Sequence, residues 1–208
     1  MRRFVPVAGL SALVALAALA GAAPSLSPAP VPTPAPAPAQ NADSYTIDSV
    51  HSTVLFRCKH LNTSYAYGRF DEVSGTLDFD EANPASSSLN VTVNTKSVTT
   101  ANAKRDGHLR SGDFFNANEF PTATFKSKSF AKAGENMFDV TGDMTIRGVT
   151  KPVSFKLEKT GAGKGPGGAI IGFEGTVSIQ RADFGINYMP DGLGAEVKLT
   201  VSIEAVKK

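Results

Sequence analysis

From Ser44 to Val206 apolar residues recur at every second position, which is the spacing of strands with one dry and one wet face and not of helices. Val54, Phe56, Cys58 and His60 share one face, with Thr53, Arg57 and Lys59 on the other. Leu77 and Phe79 alternate with Thr76 and Asp78, and Leu89, Val91 and Val93 with Asn90 and Thr92. The pattern continues through Phe138 and Val140, Val153, Phe155 and Leu157, then Ile171, Phe173, Val177 and Ile179, and last Val197, Leu199, Val201 and Ile203. It predicts eight strands near residues 52–60, 66–80, 88–98, 122–130, 136–147, 152–160, 169–181 and 195–206, with Gly148-Val149-Thr150 as a turn and the Gly-rich GAGKGPGG as a loop.

Eight antiparallel strands with one apolar face each stack as a sandwich or close as a barrel. The later strands run to about a dozen residues, longer than a sandwich needs, and favour the barrel. Gly68, Gly75, Gly142, Gly148, Gly172 and Gly175 suit the bends and bulges that closure demands. Outer faces are polar, the reverse of a barrel that spans a membrane. The inward positions Phe56, Leu77, Val93, Phe125, Phe155, Phe173, Ile179 and Leu199 touch either a ligand or a filled core. Sequence leaves both open.

One stretch breaks the alternation. In residues 97–125 the charges Arg105, Asp106, His108, Arg110 and Asp113 crowd together. Asn102 or Ala103 to Leu109 is expected to form a short helix with its polar residues outward, anchored by Phe114, Phe115, Phe120 and Phe125 as a lid or plug. Arg105, Asp106 and His108 are candidates for holding the lid and a ligand's head group, and Phe115 for lining the space beneath. A hydrolase using His108 with Asp106 is the enzymatic alternative, but no Ser or Cys nucleophile is recognisable beside them, so no catalytic residue is assigned. A metal site shared by His51, His60 and His108 lacks a tight ligand spacing and is not expected. Cys58, the one cysteine, reads as a small core residue.

The N-terminus has the layout of a secretory signal peptide over 1–22: basic Arg2-Arg3, an apolar run from Phe4 to Leu19, and Ala20-Gly21-Ala22 as the cleavage pattern. Export to the periplasm or outside the cell is the expectation; retention of the 20 residues Phe4 to Ala23 as an anchor is the alternative. Residues 23–43 form a Pro/Ala-rich linker of polyproline type, followed by the barrel domain at 44–208. Two of the 21 basic residues, Arg2 and Arg3, leave with the signal, so 19 remain against 19 acidic ones. That balance argues against a nucleic-acid partner.

The chain resembles the YceI-like family of exported, lipocalin-like barrels that bind polyisoprenoids. The resemblance rests on YTIDSVHSTVLF, YGRFDEVSGTL, SVTTANAKRDGHLRSGDFFNANEFPTATF, GDMTIRGVTKPVSF and Arg181-Ala182-Asp183-Phe184-Gly185. It implies an extended eight-stranded barrel carrying a long isoprenoid lipid, such as a polyprenyl quinone or polyprenyl phosphate, with no other cofactor. Partners are then that lipid and, as an open alternative, a second copy in a homodimer, with no transmembrane span once the signal is removed. A structural or stress-related domain with a filled core is the remaining alternative.

Overall fold

The computed structural model describes residues 42–208. The signal peptide assigned to 1–22, and the linker assigned to 23–43 as far as residue 41, lie outside the described residues; Asp43 already opens a strand. The strands are β1 (Asp43–Ile47), β2 (Thr53–His60), β3 (Ser64–Phe70), β4 (Val73–Phe79), β5 (Ser88–Asn94), β6 (Val98–Thr99), β7 (Thr122–Lys132), β8 (Met137–Ile146), β9 (Val149–Gly165), β10 (Gly168–Gln180) and β11 (Leu193–Lys207), with one helix, α1 (Ala103–Arg110).

These amount to eight long strands, three of them broken. β1 and β2 flank a turn and both lie along β11, with Ile47 opposite Ala205 and Thr53 opposite Ser202. β3 and β4 are parted by Asp71 and Glu72, and β5 and β6 by a 3-10 turn at Thr95–Ser97. At one end β1, β4, β5, β7, β8, β9, β10 and β11 pair in that order and β1 returns to β11, closing the ring. The eight-stranded antiparallel barrel expected from the alternation is therefore formed. At the other end β2, β3 and β6 continue from β11, but β6 pairs only with β3. The side between β6 and β7 has no ladder, and the chain from Thr100 to Pro121 lies there.

Burial follows the alternation. Along β8 Phe138, Val140, Met144 and Ile146 are buried while Asp139 and Thr141 are exposed, and β10 buries Ile171, Phe173, Val177 and Ile179. Each such side chain stabilises the fold by about 1.5–3 kcal/mol relative to exposure. The inward set fuses into one core cluster from Tyr45 to Ala205.

The boundaries differ from expectation in three places. β1 was outside the predicted strands, because five residues beside a Pro-rich run carry only Tyr45 and Ile47 as buried apolar positions. β9 runs on to Gly165, so most of GAGKGPGG is strand and only Pro166 and Gly167 turn. Its backbone pairs with β10, Ala162 opposite Ile171, and pairing needs no side chain. The turn expected at Gly148-Val149-Thr150 is Arg147-Gly148, with φ of 51° and 73°, the left-handed pair that a two-residue hairpin requires. Gly148 is also close against the lid: a Cβ there would sit 2.7 Å from the Phe120 ring.

Candidate ligand-binding cavity

Inside the barrel lies a cavity of about 610 Å³, within the roughly 300–1,000 Å³ typical of small-molecule sites. The closed end of the barrel, outside the lining, is a packed layer in which Phe79 meets Phe138 and Phe173 edge to face, centroids 5.3 and 5.1 Å apart. The cavity walls come from β2, β3, β5, β7 to β11, and its roof from α1 and the segment after it.

Of the residues placed inward by sequence, Phe56, Val93, Phe115, Phe125, Phe155, Ile179 and Leu199 line the cavity. Leu77 and Phe173 do not: they are 1% and 2% exposed and belong to the packed end. Gly68 faces Phe56 across the β2–β3 pair, and a Cβ there would come within 2.3 Å of its ring. Only glycine lets Phe56 lie over that strand.

The lid is built from local hydrogen bonds. Asn102 caps α1, its side chain accepting from Arg105 N at 3.0 Å. Asp106 is buried, against the expectation that the helix turns its polar residues outward. Its Oδ1 accepts from Thr100 N at 2.8 Å and from the Thr100 hydroxyl at 2.5 Å. Arg105 donates to that same hydroxyl from Nε at 2.7 Å and to Thr100 O at 2.8 Å. Helix and lid are held to the barrel by Arg110, which donates to Lys96 O and Val98 O, and by Arg147, which donates to Phe114 O, each at 2.8 Å.

His108 does not meet Asp106. Its Nε2 is 2.8 Å from Asp113 Oδ2, and its ring packs on Phe114 and on Tyr188 at 5.0 and 4.8 Å. Among the described residues no hydroxyl or thiol is hydrogen-bonded to its ring. Arg105 and His108 line the cavity, whereas Asp106 does not and is bonded to the lining residue Thr100. His60 also lines the cavity, but His51 is on the outer wall with Asp48 and Glu204. Those three are the one group among the described residues whose ligand atoms, within 4.8 Å of one another, could share an ion. Cys58 is half-buried on the cavity wall, not in the packed core, and its Sγ approaches Gly194 O at 3.4 Å. Burial pushes its thiol pKa up, with Arg181 pulling the other way.

Arg181 is not marked as a site residue by the sequence. It lines the cavity while only 6% exposed. Its sequence signal was parity, since Val177, Ile179 and Arg181 are two apart. Tyr188, Ile186 and Leu193, also on the wall, lie in or beside the irregular stretch between β10 and β11, where no periodicity marks them.

Comparison with known proteins places this architecture. The model of the YceI-like domain matches residues 45–205. The chain belongs to the YceI-like domain family. Protein YceI of Escherichia coli is 45% identical over 170 residues, covering 80% of this chain and 88% of that protein. Among solved structures, BcnA of Burkholderia cenocepacia superposes with a TM-score of 0.71 at 26% identity, over 77% of this chain and 99% of BcnA. A polyisoprenoid binding domain from Saccharophagus degradans, implicated in plant cell wall breakdown, superposes with a TM-score of 0.63 over 81% of this chain and 100% of its own length. At 16% identity it shares the fold of this YceI-like chain. Among the described residues no helix is long and apolar enough to cross a membrane.

Proposed function

We infer that this YceI-like protein is an exported carrier that holds a long apolar isoprenoid lipid, of polyprenyl or quinone type, inside its barrel. The observation that carries the reading is the cavity of about 610 Å³ walled by Val, Ile, Leu, Met and Phe side chains and roofed by the lid. An apolar chain gains about 25 cal/mol for each Å² it removes from water, so such a space binds a prenyl tail without specific chemistry. The Saccharophagus degradans domain, described as polyisoprenoid binding, has the same fold, and the signal-peptide pattern at 1–22 supports work in the periplasm or outside the cell. The role is binding and transport, not catalysis.

Native mass spectrometry of the gently purified protein tests the reading, with a co-purifying prenyl lipid as the expected result. Independently, a prenyl ligand at about a hundred times its Kd adds about 2.7 kcal/mol and should raise Tm by roughly 5–10 °C. A protein that carries no lipid, and whose Tm no prenyl quinone or prenyl phosphate moves, is not a carrier of this class.

A further inference from the structure

We propose that the lipid carries an anionic head group, a phosphate, diphosphate or carboxylate, and that Arg181 together with Arg105 selects it over a neutral head. The inference rests on the carrier reading above and adds the chemistry of the head.

No Asp or Glu lines the cavity among the described residues, while Arg105 and Arg181 do, along with His60 and His108. Arg181 is the decisive group. Its five N–H donors all go to carbonyl oxygens: Nε to Gly194 at 2.9 Å, Nη1 to Ile186 and Tyr188 at 2.8 and 2.9 Å, and Nη2 to Leu193 and Met189 at 2.9 and 3.4 Å. Carbonyl dipoles satisfy those donors but bring no net charge. A guanidinium does not shed its proton, so a full positive charge stays in an apolar wall with no carboxylate paired to it among the described residues. Such a charge is costly unless something of opposite sign comes near it.

Arg105 supplies a free donor. Nε and Nη2 are spent on Thr100, and Nη1 has no partner among the described residues. Asp106 offsets part of the Arg105 charge through the shared Thr100 hydroxyl but does not reach Arg181. The two arginines belong to one end of the cavity. Arg181 holds Tyr188 O, the Tyr188 ring packs on His108, and His108 is one turn after Arg105 on α1. Asp113, the carboxylate nearest His108, is taken by its Nε2. Towards the packed layer the lining is Leu89, Leu157 and Ile203, which offer a head group nothing polar. The lipid therefore sits tail inward, with its anion at the mouth. Outside, Arg57 and Lys59 stack over the Tyr65 ring at 4.4 and 5.1 Å, adding positive potential beside the entrance.

Calorimetric titration of the full chain with geranylgeranyl monophosphate and with geranylgeraniol tests this, because the two share a tail. The expected result is a Kd about tenfold or more lower for the phosphate. In Arg105→Gln that preference, read as the ratio of the two affinities so that any loosening of the lid cancels, should shrink by about threefold or more. Arg181→Met should remove what preference remains; if that variant does not fold, because five carbonyls lose their donor, the wild-type ratio and Arg105→Gln carry the test. Equal affinities in the wild type, or tighter binding of the alcohol, overturn the head-group inference and leave the carrier standing. If neither ligand binds, both readings fall.

Discussion

Phe79 and Phe173 meet edge to face, centroids 5.1 Å apart at an interplanar angle of 73°, and this contact divides the barrel into a packed half and a hollow half. Ile171 and Ile179 lie on the same strand with the same parity, buried to 4% and 9%, yet only Ile179 lines the cavity. Truncating Ile171 to Ala opens a void in packed surroundings and should cost about 2–5 kcal/mol. Ile179→Ala borders space that already exists, so it should cost less. Urea denaturation of the two variants measures the difference, and equal costs would mean that the barrel is filled around Ile179.

Asp106 anchors the lid. Its carboxylate takes both the amide and the hydroxyl of Thr100, and Thr100 in turn takes two donors of Arg105. Asp106→Ala strands the Thr100 amide and frees the N-terminal half of α1. We expect a loss of about 1–3 kcal/mol and faster escape of bound lipid, whereas Asp106→Asn, which keeps one acceptor, should lose less. Thermal unfolding and a lipid-release time course check both.

The outer turn between β1 and β2 makes stability depend on pH. His51 Nδ1 is 2.8 Å from Asp48 Oδ2 and 3.6 Å from Glu204 Oε1. The Asp48 hydrogen bond and charge, then Glu204, raise the His51 pKa above its ordinary 6.5, and the His51 hydrogen bond leads in lowering Asp48 below 3.8. A raised histidine stabilises the fold below its unfolded pKa and loses that effect as pH rises through its folded value. A lowered carboxylate stabilises above its unfolded pKa and loses the effect as pH falls through its folded value. The clamp is therefore complete between about pH 4 and about pH 6.5. His51→Gln should lower Tm most near pH 5 and hardly at all near about pH 9; a deficit independent of pH would assign His51 a packing role.

How much of this is legible in the sequence depends on whether the determinant is local. Side-chain parity is local, so the alternation through Phe138, Val140, Phe173 and Ile179 reveals eight one-sided strands and hence the barrel. Even Arg181 follows by parity from Val177 and Ile179, although a charge just past a strand end reads as a surface residue. Depth along the barrel is not local. Leu77 and Phe173 share parity with lining residues, but they fall in the packed half because β1 returns to β11 and closes that end. The lid chemistry was half legible: the cluster Arg105, Asp106 and His108 stands out, yet Asp106 turns to Thr100 and His108 to Asp113. Helical spacing places Asp106 and His108 two apart, on different faces.

Ile179 offers the sharpest separation of lipid carriage from folding. It is 9% exposed and lines the cavity between Val177 and Arg181, with Val197 opposite it on β11. In a packed core a larger ring forces its neighbours off their rotamers, at about 1–3 kcal/mol or more. Here the extra volume of Ile179→Trp enters space that the folded protein already encloses, so the strain is small. The indole occupies the path of a tail running from the mouth towards Phe79. The variant should therefore keep the far-ultraviolet spectrum of a β protein and a Tm within a few degrees of the unliganded wild type, and should emerge from native mass spectrometry without lipid. Prenyl ligands that stabilise the wild type should leave its Tm unmoved. A folded Ile179→Trp that still takes up lipid would place the binding site outside this cavity.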